Sequence, residues 1–198
     1  MKEKFIDNCI KLITKYKHYS KKDIMKIRYG LEGIYLTIYK MIILIVLALL
    51  LGIIKEFLLV IIFFNILRFT GFGFHAEKSY QCLIVSLLEF VLLPFILLQI
   101  CIPNYLYYLI CSICLSSYLL YAPADTIKRP LKNRKKRIIR KICTLLIGII
   151  YTFLIIKVSN NFFSKSLLCA LIIETLAINP FIYKLFKQPY RNYLNCNV

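Results

Sequence analysis

The sequence predicts an all-α fold: a polytopic membrane helical bundle of six hydrophobic elements, the second short or broken, preceded by an N-terminal amphipathic helix at the membrane interface. Three observations carry this prediction. Hydrophobic residues make up 60% of the chain and mean hydropathy is +0.72, far above the level of soluble domains. The apolar residues come in long blocks, of the length that crosses a hydrocarbon core of about 30 Å. The formal charge of +18 is gathered between those blocks. In a soluble protein such a charge would point to nucleic acid. Here no soluble face exists to present it, so it points to orientation in an anionic bilayer, with lipid and not nucleic acid as the partner. The first residues, MKEKFIDNCIKLITKYKHYSKK, are charged throughout and lack an apolar stretch with a small-residue cleavage site. They do not read as a secretory signal, so the spans themselves direct the chain to the membrane.

Residues 1–198 are expected to form one integral membrane domain. Within it, 1–33 hold nine basic and four acidic side chains. Phe5, Cys9, Leu12, Ile13 and Tyr16 recur at helical spacing, which predicts an amphipathic helix lying on the cytoplasmic surface. Ser20 to Asp23 fits a capping box that opens a second helix. His18, in the charged linker, reads as solvated. The first span is Ile34–Ile54, with Lys40 able to snorkel, and Lys55-Glu56 is expected to turn the chain. Phe57–Leu67 is too short to span alone, so the second element is expected to tilt or break, leaving Arg68–Tyr80 near the headgroups. Tyr80–Ile102, Tyr105–Ala124, Ile142–Val158 and Ser166–Phe186 complete the six. Between the fourth and fifth lies the basic loop 125–141, with nine basic residues against one acidic. An even number of crossings puts 1–33, 125–141 and the basic tail on one side, as the excess of Lys and Arg in cytoplasmic loops requires. The expected location is therefore a bacterial cell membrane, multi-pass, with both termini cytoplasmic.

Arg68–Cys82, RFTGFGFHAEKSYQC, crowds Arg, Gly, His, Glu, Lys and Cys into an apolar chain. Seven residues along an unbroken helix would separate His75 and Cys82 by about 10.5 Å. They can work as a pair only if the chain folds back between them, for which Gly71 and Gly73 supply backbone freedom. Ser79 is expected as N-cap, making Cys82 the third residue of the next helix. The free N–H groups and dipole of that helix end would favour a thiolate and an oxyanion alike. His75 would take the thiol proton and return it to a leaving amine. Glu77, Glu32 and Asp125 are all possible orienting groups, unranked. Arg68 reads as a snorkelling anchor or as a clamp for a substrate carboxylate. Glu89 and Glu174 are expected to face the bundle interior, where a counter-charge for Lys40 or a helix contact explains them as well as catalysis does. The 128–141 run reads as a topology determinant that can also hold an acidic peptide. Most of the eight cysteines lie in apolar runs and read as small hydrophobes; Cys111 and Cys114 match a Cys-x-x-Cys pattern without a second pair. No metal and no cofactor is predicted.

Three blocks, RFTGFGFHAEKSYQC, YGLEGIYL and YAPADTIKRPL, resemble in order and spacing the accessory gene regulator B (AgrB) peptidases of Gram-positive quorum sensing. The hydrophobic profile agrees over nearly the whole chain. One departure is Phe72, between two glycines that commonly adjoin in the family. The resemblance implies a membrane-embedded cysteine endopeptidase acting on an AgrD-like propeptide with an amphipathic leader and an acidic tail. His75 and Cys82 fall on the family's catalytic pair. Glu32, Arg68, Gly73, Lys135 and Lys136 fall on or near positions linked to activity, the two lysines as contacts for the acidic tail. It implies cleavage through a thioester on Cys82, then closure of a thiolactone or lactone ring, and it allows a homodimer. The competing expectation is a peptide exporter or membrane scaffold in which the His–Cys pair is incidental.

Overall fold

A computed structural model describes residues 2–16, 19–74, 78–126, 130–158 and 161–196. Among them every regular element is helical, and an isolated parallel bridge joins Phe72 and Ala124. The chain groups into two compact units that divide after Leu47.

The first unit holds α1 (Lys2–Tyr16) and most of α2 (Lys21–Leu50). The Ser20 hydroxyl accepts from Asp23 N–H at 3.2 Å and donates to the Asp23 carboxylate at 2.7 Å, so the predicted cap forms. The helix it opens does not stop before the first span; the surface helix and the span are one 30-residue rod. No Gly or Pro signal interrupts helical geometry strongly enough there, and Gly30 and Gly33 face open space. α1 lies alongside α2 through ion pairs of Arg28 with Glu3 (2.7 Å) and Asp7 (3.0 Å) and of Lys2 with Glu32. The buried residue of α1 is Ile6, while Phe5 and Leu12 are exposed, so its inward face is shifted by one residue from the predicted one.

The second unit begins with the last turn of α2. Gly52 (φ +70°) makes the reversal, and Lys55 and Glu56 lie in the first turn of α3 (Ile54–Gly71) rather than forming the turn themselves. An acidic residue in a first helical turn meets the positive dipole end. After the break come α4 (Ser79–Leu87), a π-helical turn (Leu88–Leu92) and α5 (Leu93–Gln99), which run on as one 21-residue rod. Pro94 explains the π turn. Its ring would crowd the carbonyl four residues back, and the wider turn relieves that clash, with Leu93 N–H donating five residues back to Leu88 O. α6 (Asn104–Tyr121), α7 (Arg134–Lys157), α8 (Phe162–Ile178) and the short α9 (Pro180–Leu185) follow. The expected sixth span is cut at Asn179: Pro180 disfavours helical backbone at the residue before it, and Asn179 instead caps α9 through its side chain.

α8 is the central post of this unit, packed by α3, α5, α6 and α7. Its residues from Ser164 to Leu171 are all buried, which an all-round apolar helix requires. Tyr118 donates to Leu171 O at 2.8 Å and Tyr151 to Phe63 O at 3.2 Å, so the buried phenols find backbone acceptors. Lys165 reaches Ile100 O (2.9 Å) and Leu98 O (3.3 Å), closing carbonyls left open at the end of α5. Cys111, Cys114 and Cys169 are buried packing residues.

Three rods are long and apolar enough to cross a membrane: α2, Ser79–Gln99 and α7. Their outer faces expose Ile38, Ile42, Val46, Ile84, Leu146 and Ile149, as lipid contact demands and water would not permit. The expected second, fourth and sixth elements are shorter, with 18 residues in α3, 18 in α6 and 17 in α8.

The ion pairs of α1 set its pH range. The hydrogen bond from Arg28 holds the Glu3 carboxyl below its ordinary 4.5, and the one to Glu32 raises Lys2 above 10.5. A depressed acid stabilises the fold above its ordinary value and ceases to as pH falls through the depressed one; a raised amine does so below its ordinary value and ceases to as pH rises through the raised one. Spin labels on exposed Lys4 and Met25 should therefore keep a narrow distance distribution between pH 4.5 and 10.5 and lose it as pH falls further below 4.5.

Candidate active site

The polar residues of the second unit converge where α3 ends. α3 stops at Gly71, and Phe72 and Gly73 turn the chain with positive φ (60° and 104°). Four contacts hold this turn. Gly73 N–H donates to Ala124 O (2.7 Å), Ala124 N–H to Gly71 O (3.0 Å), and Phe74 N–H to Ala177 O on α8 (2.7 Å). The fourth is Arg68, one turn back on α3, whose guanidinium donates to Gly73 O (3.1 Å) and to Phe74 O. Positive φ at an aromatic residue costs on the order of 1–3 kcal/mol and persists only when its surroundings over-determine it. Arg140 supplies part of that restraint, lying over the Phe72 ring at 4.3 Å and donating to Phe69 O at 2.7 Å.

Beneath the turn lies Glu174 of α8, fully buried, with an oxygen 3.9 Å from Arg68. Glycine is required here for space as well as for φ. A Cβ on Gly71 would sit 2.2 Å from the Glu174 carboxylate, and one on Gly73 would meet Arg68 at 2.3 Å and Ala177 O at 2.7 Å. Thr144 on α7 completes the floor, donating to Arg140 O (2.9 Å) and lying 3.0 Å from the Thr70 hydroxyl.

On the far side of the break α4 begins at Ser79, not after it. Lys78, extended at φ −93° and ψ 136°, is the N-cap, which makes Ser79 the first and Cys82 the fourth helical residue. The Cys82 N–H is accordingly paired, with Lys78 O at 3.1 Å. Helical Cβ atoms tilt toward the N-terminus, so the half-buried Cys82 leans over the first turn, whose Ser79, Tyr80 and Gln81 N–H groups have no acceptor within the helix. A groove of about 270 Å³ opens at the same helix end, lined by Lys78, Gln81, Phe186, Lys187 and Gln188.

The other predicted site residues are placed as follows. His75 and Glu77 lie outside the described residues, as does His18. Glu32, in the first unit, is paired with Lys2. Asp125 is buried, and its carboxylate accepts three backbone N–H groups, from Asn192 (2.9 Å), Tyr193 (2.9 Å) and Leu131 (3.2 Å). Tyr183 also donates to its carbonyl at 3.1 Å, so Asp125 ties the C-terminal segment to the strand-like stretch that braces Gly73. The basic run divides. Arg137 and Arg140 turn inward, Arg137 donating to Leu131 O at 2.8 Å and stacking at 4.0 Å on Tyr193, whereas Lys135 and Lys136 are exposed in the first turn of α7. Spacing held the signal for this split, since Arg137, Arg140 and Thr144 fall at i, i+3 and i+7. Glu174 was legible as an interior charge, but its partner is Arg68; two isolated opposite charges in adjacent apolar helices were the available clue.

A family model, accessory gene regulator B, matches residues 6–178. An AgrB-like protein of Listeria monocytogenes serovar 1/2a is 31% identical over 169 residues, covering 85% of this chain and 83% of its own. An AgrB-like protein of Clostridium acetobutylicum is 29% identical over 86% of this chain and 82% of its own. The accessory gene regulator protein B of Staphylococcus carnosus is 32% identical over 80% and 84% respectively. No solved structure matches.

Two substitutions test the turn. Gly73→Ala adds strain at φ +104° to a backbone clash and should cost about 3 kcal/mol, read as a lowered Tm in detergent. Asp125→Asn replaces an acceptor of three N–H groups with a side chain that is half donor. It should cost about 3 kcal/mol and expose the segment after Leu185 to protease.

Proposed function

The chain belongs to the accessory gene regulator B family, and from that membership we propose a membrane-embedded cysteine endopeptidase that cleaves a quorum-sensing propeptide through a thioester on Cys82. Membership places the chain in accessory gene regulator quorum sensing, and the family works with the AgrD propeptide in processing the autoinducer. The three long apolar helices mark a membrane protein. The proteolytic chemistry, its residues and the six-crossing topology with cytoplasmic termini are our reading.

The observation that carries it is the position of Cys82 at the start of a membrane helix, directly after a helix break braced by Arg68 and two glycines. A thiol over the first turn of a helix has the dipole and unpaired N–H groups that favour its anion. In the proposed cycle His75 accepts the Cys82 proton and the sulfur attacks the scissile carbonyl carbon. The tetrahedral oxyanion is stabilised by first-turn N–H groups. The C–N bond then breaks, the leaving amine takes the proton from His75, and the peptide remains as an acyl thioester. An internal thiol or hydroxyl of the bound peptide gives its proton to His75 and attacks that thioester; the bond from the carbonyl carbon to the Cys82 sulfur breaks, the sulfur takes the proton back from His75, and a thiolactone or lactone ring results. The exchange of one thioester for another is nearly isoenergetic, so the ring survives only where water is kept away, which a site at the end of a membrane helix favours.

The charge pattern fits an acidic peptide. Arg134, Lys135, Lys136 and Arg137 crowd the first turn of α7, where cations oppose the helix dipole. Helix stability does not explain them. Exposed Lys135 and Lys136 are positioned to meet an acidic tail, and Lys78 and Lys187 give the groove beside Cys82 the same sign.

Membranes carrying the protein, mixed with the propeptide of its own system, provide the test. Cys82→Ala and His75→Ala should each lower cleavage at least about 1,000-fold, and the hydroxylamine-sensitive adduct seen with wild type should vanish in Cys82→Ala. Cleavage by Cys82→Ala at the wild-type rate would remove the peptidase reading and leave an exporter or scaffold.

A further inference from the structure

The buried carboxylate of Glu174 is not used by the proposed cycle, yet it lies fully shut away from solvent inside the second unit. Among the described residues neither of its oxygens accepts a hydrogen bond, and neither does Arg68 Nη1 donate one. The two charges lie 3.9 Å apart, an ion pair without a hydrogen bond, with Glu174 completely buried. A charge buried in this way is expensive even when paired, and replacing such a pair by apolar side chains is often neutral or stabilising. Folding alone therefore gives weak reason to keep it.

Its geometry gives a stronger one. The Arg68 guanidinium is a rigid fork, and its two ends have different tasks. Nη2 donates to the carbonyls of Gly73 and Phe74, while Nη1 faces Glu174. The Phe74 carbonyl is the acyl half of the peptide bond to His75, so the arginine fixes the backbone immediately before that residue. Glu174 holds the other end of the fork, and the same helix accepts from Phe74 N–H through Ala177 O. The absence of a side chain at Gly71 leaves room for the carboxylate, and its absence at Gly73 leaves room for the guanidinium.

We propose that Glu174 is a positioning residue for the peptidase reaction: its carboxylate orients Arg68, which clamps the carbonyls of Gly73 and Phe74 and so fixes the chain up to the residue that precedes the proposed base, His75. The proposal rests on the cysteine peptidase reading above. It predicts a loss in the chemical step with little loss of substrate binding, because Glu174 is shut away from any bound peptide. A misplacement of about 1 Å at a reacting group costs about 100-fold in rate.

The test measures kcat and KM for propeptide cleavage in Glu174→Gln, Arg68→Lys and the double variant, with Cys82→Ala as reference. Glu174→Gln is expected to lower kcat about 100-fold with KM within threefold of wild type. In the Arg68→Lys background it should cost less than threefold more, since a residue acting through Arg68 has nothing left to orient. Wild-type kcat in Glu174→Gln, or full additivity with Arg68→Lys, overturns the proposal, as does a rise in KM that accounts for the whole loss. Should Glu174→Gln fail to fold, as judged by size exclusion in detergent, Arg68→Met/Glu174→Met replaces it, removing both charges at similar volume. That variant should fold and show the same loss in kcat; near-wild-type cleavage by it overturns the proposal. If Cys82→Ala itself cleaves, the peptidase reading has failed, an outcome distinct from Cys82→Ala being dead while Glu174→Gln is fully active.

Discussion

An ion pair sunk among apolar helices constrains everything around it. Glu174 on α8 cannot stand alone at that depth, and the guanidinium that meets it comes from the last turn of α3. Those two helices must then approach closely at one level, which only residues without side chains allow. Gly71 and Gly73 satisfy that demand, and the same two positions are where the helix ends and the chain turns. Arg68 thus has two duties that coincide: it neutralises a buried acid, and it binds two backbone carbonyls of the turn that follows the helix.

The surrounding shell has the same logic at lower cost. Phe72 is held at an unfavourable φ by a backbone bond to Arg68 O, by the bridge to Ala124 and by the Arg140 guanidinium over its ring. Ala124 is in turn fixed by Tyr183, and its neighbour Asp125 gathers three N–H groups, two of them from a segment distant in sequence. The turn before His75 is therefore braced by α3, α7, α8 and the stretch after α6. Restraint on that scale is what a reacting pair needs and what an incidental loop would lack.

Much of this was legible in the chain because charges in an apolar sequence are rare and meaningful. The helix break after Gly71, the restart beside Cys82, the Ser20 cap and the inward Glu174 all follow from single residues with strong local preferences. The misplacements share a cause. Lys55-Glu56 looks like a turn because it is polar, whereas Gly52 makes it, since backbone freedom outweighs polarity. Ser79 looks like a cap, but the extended residue is Lys78, and the cap position is set by where the preceding turn releases the chain. Pro180 ends the sixth helix early, because even in a long apolar run it keeps Asn179 out of helical backbone. Which glutamate meets Arg68, and which two of the basic residues of 125–141 fold inward, depend on how α3, α7 and α8 are rotated about their axes. No local pattern encodes those rotations.

The Asp125 knot bears on the order in which the molecule is assembled. Its partners Asn192 and Tyr193 lie more than sixty residues downstream, so the carboxylate waits for two of its three donors while α7, α8 and α9 are synthesised. Glu174 likewise reaches Arg68 only once α8 has been made. A chain that ends before α8 therefore has an unbraced turn ahead of Cys82. Completion of that turn follows the order of synthesis, with its last braces supplied by the last-made segments.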